Sequence, residues 1–303
     1  MTATQQAFGK ATTYEISDTW AHAPAWAVVE IPELLPGMRL ANDSGNGQDA
    51  RLAEALLFNA GQQAIQELED VRRVSARLFP RNLPQLASLA YAGVCVEAGH
   101  AGGDFYDFFD RGPHRLGFTV GDVSGKGMAS ALVRATLQAS LRTLGSVGVQ
   151  DLAQSLALVN RLLFDSTPEA MYATLFLADY DEDTRRLRYV NCGHPAPLLY
   201  GHNGVSRLKT TSQVLGLFSD WKGSVGEVQL RAGQTLLVYT DGITEATNDA
   251  GEEFGEGRLV AMLEAQNVPL SAFLQQCVHD VCRFGASDQR DDLTLVALRG
   301  LEV

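Results

Sequence analysis

The chain has 303 residues, of which 46% are hydrophobic and 20% are charged, and its formal net charge is −12. That length fits one large domain or two small ones, and the hydrophobic fraction is enough for a sizeable core. The acidic balance argues against a surface for nucleic acids or anionic membranes, because both repel negative charge.

Cysteine spacing and hydropathy indicate a cytoplasmic protein. The four cysteines, at positions 95, 192, 277 and 282, form no C-x-x-C pair, so we expect reduced and mostly buried thiols. The sequence shows neither a charged-then-apolar leader nor an apolar run of about 18 residues. We therefore expect neither a secretion signal nor a membrane-spanning helix.

The first 48 residues carry little pattern. Residues 27–31 fit a short strand, and residues 42–48, NDSGNGQ, have the composition of a linker. We interpret residues 1–48 as a poorly ordered leader or a docking strand. The alternative interpretation is a remnant of an upstream sensory module.

Residues 49–78 form the longest predicted helix, with Asp49 as its N-cap and Pro80 and Pro84 beyond its end. A seven-residue repeat is visible at Leu57, Ala64, Val71 and Leu78, with Gly61, Leu68 and Ser75 at the other seam position. This is a weak coiled-coil pattern, because glycine and serine are poor core residues. Two interpretations stay open: a homodimer through residues 49–78, or a helix that packs on its own domain.

From residue 86 onward the pattern predicts short strands with helices inserted in pairs. The predicted strands are 91–96, 105–109, 116–120, 172–180, 186–192, 197–200, 206–209, 226–230, 236–239 and 293–298. The predicted helices are 128–144, 152–164, 257–264 and 271–284. This order favours antiparallel sheets covered by helices over regular βαβ repetition. On the helix 128–144, the expected apolar face consists of Met128, Leu132, Ala135, Ala139 and Leu141–Leu144.

Glycine and aspartate cluster at the ends of neighbouring predicted strands. Asp104 precedes the strand 105–109, and Asp122 follows the strand 116–120, with glycines beside both. A carboxylate at the end of a buried strand is costly unless it is paired or binds a metal. Two such carboxylates brought together by a hairpin repel each other unless a cation lies between them. The sequence therefore predicts a metal-ion site here.

Further aspartates downstream also lie at the ends of predicted strands. Asp241 ends the apolar strand 236–239, and Asp291 and Asp292 lie directly before the last strand. No histidine or cysteine cluster accompanies them, so oxygen ligands favour Mg²⁺, Mn²⁺ or Ca²⁺ over Zn²⁺ or Cu²⁺. Taken singly, each Asp-Gly pair is more typical of a turn than of a ligand.

Two segments resemble known motifs, a phosphate-binding loop and the GGDEF turn, but do not match them. Residues 121–126 lack the four-residue spacing of a phosphate-binding loop, and Gly127 stands where that loop needs Ser or Thr. Residues 102–105 resemble the GGDEF turn of diguanylate cyclases, but Tyr106 and Asp107 do not continue it. A nucleotide cyclase or hydrolase is therefore the weakest of our hypotheses.

Five motifs occur in a fixed order: GGDFYD (102–107), GDVSGKG (121–127), NCGHPAP (191–197), TDGITEA (240–246) and DDLT (291–294). The combination closely resembles the SpoIIE/RsbU-type branch of the metal-dependent (PPM) serine/threonine protein phosphatases, over about residues 71–298. The resemblance implies an α+β fold, an α-β-β-α sandwich of two antiparallel sheets between helix layers. Residues 1–70 are not covered by it. We expect an N-terminal segment of unclear fold, 1–48, a helical linker and possible coiled coil, 49–80, and a SpoIIE-like phosphatase domain, 81–303.

The resemblance also implies a site. Two Mn²⁺ or Mg²⁺ ions would be held by the side chains of Asp104, Asp122, Asp241 and Asp291 and by the backbone carbonyl of Val123. Such ions lower the pKa of a water that attacks phosphorus in line. The substrates of this branch are phosphoserine or phosphothreonine proteins, typically anti-sigma-factor antagonists of the STAS type. A partner of a second kind would be an upstream activator of the phosphatase. Asp292 is either a supporting residue behind the ligands or an ordinary surface carboxylate.

The sequence departs from the wider phosphatase pattern at one position. Eukaryotic relatives have a histidine two residues after the aspartate that matches Asp122, and Ser124 stands there in this chain. No side chain is identified as the general acid, so a metal-bound water is our hypothesis. No arginine clamp for the phosphate is evident.

Two other residues near the motifs, Lys126 and His194, each have a structural and a functional interpretation. Lys126 is either a phosphate contact or a solvated residue at a helix start, and the second is slightly favoured. His194 is better explained as a hydrogen-bonded structural histidine than as an acid or a ligand. Helices 128–144 and 152–164 follow Asp122 directly, and in this branch such helices are thought to switch the metal site.

The leading prediction is a Mn²⁺- or Mg²⁺-dependent serine/threonine phosphatase that acts on a regulatory protein. The alternative is a catalytically inactive phosphatase-fold module that binds a regulatory partner through the same surface. The presence of all four candidate ligands argues against that alternative.

Overall fold

The computed structural model describes residues 47–80, 84–99, 101–146, 151–168, 171–285 and 291–302. The predictions for residues 1–46, including the strand 27–31, lie outside the described residues. The chain divides between Gln62 and Gln63, and the second unit carries both sheets and the helices around them. The domain boundaries at residues 48 and 80 stay predictions. Among the described helices, none has the length and apolar character needed to cross a membrane.

The first helix, α1, spans Gly47–Ser75. The prediction that Asp49 caps it is wrong, because the helix already includes residues 47 and 48. The chain leaves α1 through turns that end at Leu78, before Pro80 restricts the backbone. Ile65 and Val74 are exposed apolar residues on α1, and the homodimer through residues 49–78 stays a prediction.

Ten strands of the described chain form two antiparallel sheets. Their bounds are β1 Leu89–Val96, β2 Phe105–Asp110, β3 Arg115–Val123, β4 Ala173–Asp181, β5 Arg186–Cys192, β6 Leu198–Gly201, β7 Gly204–Arg207, β8 Gly226–Gln229, β9 Thr235–Tyr239 and β10 Leu293–Gly300. The first sheet has the order β1-β10-β9-β6-β7 and the second has the order β2-β3-β4-β5-β8.

Five helices follow α1 in the described chain: α2 Met128–Ser146, α3 Leu152–Ser166, α4 Asp241–Thr244, α5 Gly255–Ala265 and α6 Leu270–Phe284. The predicted helices correspond to α2, α3, α5 and α6. The short α4 was not predicted, because a single turn that begins at an Asp-Gly pair has no apolar periodicity.

Three apolar layers hold the elements together, and β9 shows how one strand serves two of them. Leu236 and Val238 face the core between the two sheets, whereas Leu237 and Tyr239 face the core under α5 and α6. Alternation of this kind is expected because successive side chains of a strand point to opposite faces. The third layer lies between the second sheet and helices α2 and α3. This confirms the α-β-β-α sandwich.

The buried face of α2 differs in part from the prediction. Leu141 is buried against the second sheet as predicted, and Leu137 is buried there too, but Met128 and Leu132 are 44% and 66% exposed. Two polar residues, Arg134 and Gln138, share that buried side. The apolar pattern was misleading because the buried face of this helix includes polar side chains with hydrogen-bond partners, which a hydrophobicity pattern does not recognise.

Those polar side chains hold the end of α1 against β2. Gln138 Nε2 donates to the carbonyl oxygens of Leu78 at 3.0 Å and of Tyr106 at 3.4 Å. Arg142 donates to the same Leu78 carbonyl and binds the buried carboxylate of Asp107. Carbonyl groups past a helix end need such donors, because they lack partners within the helix. The polar stripe on α2 therefore has a structural reason.

Helix α3 begins at a cap that was predicted correctly. The side chain of Asp151 accepts hydrogen bonds from the backbone N–H groups of Ala153 and Gln154, at 2.9 and 3.1 Å. We expect Asp151→Ala to lower the free energy of unfolding by about 1 kcal/mol, because two N–H groups lose their partner. Urea unfolding followed by circular dichroism measures the change.

The matched control for this cap is Asp165→Ala on the same helix. Asp165 forms an exposed pair with Arg161 four residues earlier, at 2.9 Å, and such a pair contributes less than about 0.5 kcal/mol. Equal losses in the two variants would contradict the assigned cap.

Candidate metal centre

Strand register brings the acidic motifs to one end of the sandwich. In the second sheet, Phe105 of β2 pairs with Gly121 of β3, so Asp104 lies beside the residues that follow Gly121. In the first sheet, Tyr239 pairs with Leu295, so the end of β9 lies beside the start of β10. Asp241 and Asp291 therefore lie near each other.

A buried hydrogen bond joins the two sheets at this end. The hydroxyl of Thr240, directly after β9, donates to Asp104 Oδ2 at 2.7 Å. The same hydroxyl accepts from the backbone N–H of Thr294 at 3.1 Å. Thr240 and Asp104 are 0% and 3% exposed. This contact fixes Asp104, from one sheet, against the strands of the other.

The backbone of Asp104 is held on both sides as well. Its N–H donates to Asp292 Oδ2 at 3.3 Å, and its carbonyl accepts from Arg134 Nη1 at 2.9 Å. Arg134 is 1% exposed and forms an ion pair with Glu97 at 2.7 Å. A buried arginine of this kind needs its partners, because an unpaired buried charge is costly. Asp104 therefore has little freedom of position.

Asp292 is the supporting residue that one of the two interpretations expected. Its Oδ1 accepts from the backbone N–H of Ala98 at 2.8 Å, while its Oδ2 binds the N–H of Asp104. It is 8% exposed, so it is not an ordinary surface carboxylate. It ties the segment before β2 to the start of β10.

The glycines of the motifs make room for these contacts. A Cβ atom at Gly103 would lie 2.4 Å from the carbonyl oxygen of Val123 and 3.3 Å from Asp122 Oδ1. A Cβ at Gly102 would lie 1.8 Å from Asp292 Oδ2, and one at Gly242 would lie 2.1 Å from the carbonyl oxygen of Asp292. Glycine is needed here because other residues would press into the oxygen atoms of the site.

We expect Gly103→Ala to displace the Val123 carbonyl or the backbone before Asp104, and so to weaken Mn²⁺ binding at least tenfold, because a methyl group cannot occupy that space. Calorimetric titration with Mn²⁺ measures the affinity. The control is Gly99→Ala in the same segment, whose Cβ would meet no atom within 4 Å. Unchanged Mn²⁺ affinity in Gly103→Ala would show that the contact does not matter.

Burial and mutual repulsion raise the pKa values of the clustered carboxyls. Burial, and then the charges of Asp241 and Asp291, raise the pKa of Asp122 to about 7. Burial and the charge of Asp122 raise the pKa of Asp104 well above its usual range, although its hydrogen bond to Thr240 opposes the shift. Burial and Asp291 likewise raise the pKa of Asp241. The four candidate ligands thus lie within electrostatic reach of one another.

These donors fit hard divalent cations that keep part of their water. Within the described chain, no three acidic, histidine or cysteine side chains close around a single point as a preformed cage. Mg²⁺ commonly takes one or two carboxylates and several waters, so a complete protein cage is not required. Carboxylate and carbonyl oxygens do not favour Zn²⁺ or Cu²⁺. Because Gly103 has no side chain, there is space beside the carbonyl oxygen of Val123 and the carboxylate of Asp122.

The raised pKa of Asp122 contributes to the pH dependence of the stability of the metal-free protein. A carboxyl whose pKa is higher in the folded state binds more protons when folded, so stability falls as pH rises between about 4 and 7. Asp122→Asn removes that charge. With a chelator present, we expect the variant to be more stable than the wild type by on the order of 2 kcal/mol at pH 8.

The difference should shrink as the pH falls and disappear near pH 4, where the unfolded carboxyl is also protonated. Urea unfolding at several pH values, with chelator throughout, measures it. A constant difference from pH 5 to pH 8 would show that Asp122 is not the group that titrates.

His194 occupies a structural position, as expected. It is 2% exposed, its Nδ1 lies 2.9 Å from the Thr174 hydroxyl, and its backbone N–H donates to Asn191 Oδ1 at 2.8 Å. Burial lowers the pKa of its imidazole to about 3. The ring is therefore neutral at physiological pH and cannot serve as a ready proton donor.

The favoured interpretation of Lys126, a solvated residue at a helix start, agrees with the structure, since its side chain is 70% exposed and α2 begins two residues later. Its Nζ also lies 3.6 Å from Asp291 Oδ2, so the side chain reaches the acidic cluster as well. Thr240, Arg134 and Glu97 were missed from the sequence. Thr240 could have been found, since it directly precedes Asp241, whereas Arg134 and Glu97 stand in no local motif.

Comparison with known proteins agrees with this geometry. The model of the family described as Stage II sporulation protein E (SpoIIE) matches residues 112–300, more than half of the chain. The chain belongs to the SpoIIE family. This family is the bacterial branch of the metal-dependent (PPM) serine/threonine phosphatases that the five motifs indicated.

Two curated relatives extend the similarity. Protein IcfG of Synechocystis sp. is 27% identical over 77% of this chain, and the match spans 41% of IcfG. Phosphoserine phosphatase RsbU of Bacillus subtilis is 25% identical over 78% of this chain, and the match spans 71% of RsbU. The chain therefore corresponds to less than half of IcfG and to most of RsbU.

A solved structure shows the same fold. The SiaA-PP2C domain of Pseudomonas aeruginosa superposes with a TM-score of 0.69 at 22% identity, covering 79% of this chain and 98% of that domain. The SpoIIE-family chain thus has the PP2C-type sandwich.

Proposed function

We propose that this SpoIIE-family chain is a protein serine/threonine phosphatase that uses two Mn²⁺ or Mg²⁺ ions to hydrolyse phosphoserine or phosphothreonine on a regulatory protein. One observation carries the proposal. Four carboxylates from four strand ends repel one another at one end of the sandwich, and Asp104 is fixed there by Thr240, Asp292 and Arg134. Such an arrangement is costly without a function that uses the charge.

The proposed ligands are the side chains of Asp104, Asp122, Asp241 and Asp291 and the backbone carbonyl of Val123. When bound, the ions would lower the pKa of a water molecule and neutralise charge on the phosphoryl oxygens. The chain's own residues contribute by holding the proposed ligands in position. The contacts from Thr240, Asp292 and Arg134 keep Asp104 in place during turnover, and preorganised ligands need no rearrangement at the moment of reaction.

None of the nearby residues is assigned as a general acid. His194 is neutral and committed to Thr174. The hydroxyl of Ser124 accepts a hydrogen bond from the backbone N–H of Tyr172 at 3.0 Å. We therefore propose that the leaving serine or threonine oxygen takes its proton from water at the centre.

For the substrate we propose a phosphorylated anti-sigma-factor antagonist of the STAS type, as the sequence resemblance implies. Support comes from the relative RsbU, which is named a phosphoserine phosphatase. The net charge of −12 favours a protein partner over a nucleic acid. An upstream activator, a cytoplasmic location and a homodimer through residues 49–78 belong to the same proposal.

We expect Asp122→Ala and Asp241→Ala to lower phosphate release from a phosphoserine peptide by at least about 10³-fold, because each removes a proposed ligand. Both variants should keep the circular dichroism spectrum of the wild type. Released phosphate, measured with Mn²⁺ and again with excess chelator, tests the proposal. Asp165→Ala, on the exposed surface of α3, is the control.

Wild-type turnover that persists in excess chelator would rule out the metal-dependent mechanism. A wild-type chain that binds Mn²⁺ poorly and releases no phosphate would favour the alternative, a catalytically inactive module that binds its partner through this surface. Calorimetric titration with Mn²⁺ separates the two, since an inactive module has no need for metal affinity.

A further inference from the structure

We propose that Lys126 is the residue that binds the phosphoryl group of the substrate at the metal centre. This inference rests on the proposed phosphatase function and decides, from the structure, between the two interpretations of Lys126 that the sequence left open. The ammonium group of Lys126 lies 3.6 Å from Asp291 Oδ2. Its charge also opposes the rise in the pKa of Asp241, so it lies within electrostatic reach of a second proposed ligand.

The backbone conformation on either side of Lys126 determines where its side chain can extend. Gly125 and Gly127, on either side, have φ values of +94° and +75°, which residues with side chains rarely adopt. This glycine-flanked turn lies between Val123, whose carbonyl is a proposed ligand, and the start of α2. A lysine held there projects from the edge of the site instead of continuing the strand or the helix.

The exposure of Lys126 suits a substrate contact better than a structural ion pair. The side chains of Lys126 and Asp291 are 70% and 61% exposed. An ion pair that exposed adds little to stability, with a typical value of about 0 to 1 kcal/mol. The buried acidic residues behind it have other partners: Asp104 binds Thr240, and Asp292 binds backbone N–H groups. Lys126 therefore occupies the solvent side of the centre, from which a protein substrate must approach.

Charge balance indicates which partner Lys126 would have with substrate present. In the metal-free protein its ammonium group is attracted to the carboxylate of Asp291. Divalent cations held by the carboxylates would compensate that negative charge and weaken the attraction. Lys126 would then be available to the negative charge of a phosphate monoester, since a lysine binds phosphate as a point charge.

The arginine nearest to the backbone of the centre cannot take this role. Arg134 is 1% exposed and lies behind Asp104, where its donors bind Glu97, Ser75 and the Asp104 carbonyl. Moving it to the solvent side would break the ion pair with Glu97 and remove this donor from the Asp104 carbonyl. The structure thus separates two tasks, with a buried arginine for position and an exposed lysine for the phosphoryl group.

Lys126→Gln is the informative variant, because glutamine keeps length and polarity but removes the charge. With Mn²⁺ bound, we expect its affinity for inorganic phosphate, measured by calorimetry, to fall about tenfold, as for the loss of one charge-assisted hydrogen bond. Its affinity for Mn²⁺ itself should stay within about twofold of wild type or rise, because a competing cation is removed. With a phosphoserine peptide, KM should rise.

Two further variants sharpen the result. Lys126→Arg keeps the positive charge and should retain most of the phosphate affinity, although arginine and lysine differ in geometry. Lys209→Gln, an exposed lysine at another place on the chain, is the matched control and should bind phosphate like the wild type.

Equal phosphate affinity in Lys126→Gln and the wild type would overturn the proposal. So would a variant whose only defect is weaker Mn²⁺ binding, because Lys126 would then act through Asp291. Wild-type protein that binds Mn²⁺ but no phosphate would also overturn it. If the wild type binds Mn²⁺ and phosphate but cleaves no phosphoserine peptide, the phosphatase proposal fails, whereas the binding comparison still decides the role of Lys126.

Discussion

Repulsion between carboxylates at one end of the sandwich is the constraint on which the rest of the structure depends. Asp104, Asp122, Asp241 and Asp291 come from different strand ends, and burial of the first three prevents water from screening their charges fully. Such an arrangement is stable only if the surrounding fold is strong enough to hold it. The three apolar layers of the sandwich provide that strength, since they fix the strand ends on which the carboxylates lie.

The hydrogen bond from Thr240 to Asp104 shows how the fold and the site are joined. It crosses from one sheet to the other, and its two residues are almost fully buried. Asp292, directly before β10, and Arg134 of α2 add contacts to the backbone of Asp104. Because Arg134 also binds Ser75 at the end of α1, the helix before the sandwich and the candidate metal centre share one buried side chain.

Sequence patterns led to the candidate ligands, whereas they did not reveal the contacts behind them. Asp104 and Asp241 were found because each stands beside glycine at the end of an apolar strand, a pattern that is local in the chain. Arg134 was missed because an arginine within a helix is normally an exposed residue, and only its neighbours in space show why it is buried. The predicted apolar face of α2 was wrong in part for the same reason, although Leu141 is buried as predicted.

The sequence by itself determined the order of strands and helices, the family and the four candidate ligands, because strand periodicity, glycine-aspartate motifs and their order are properties of neighbouring residues. Only the tertiary structure decided that Asp292 supports Asp104, that His194 is buried and neutral, and that Lys126 reaches Asp291. These facts depend on residues far apart in the chain, such as Asp104 and Asp292, whose distance is set by sheet packing and not by sequence spacing.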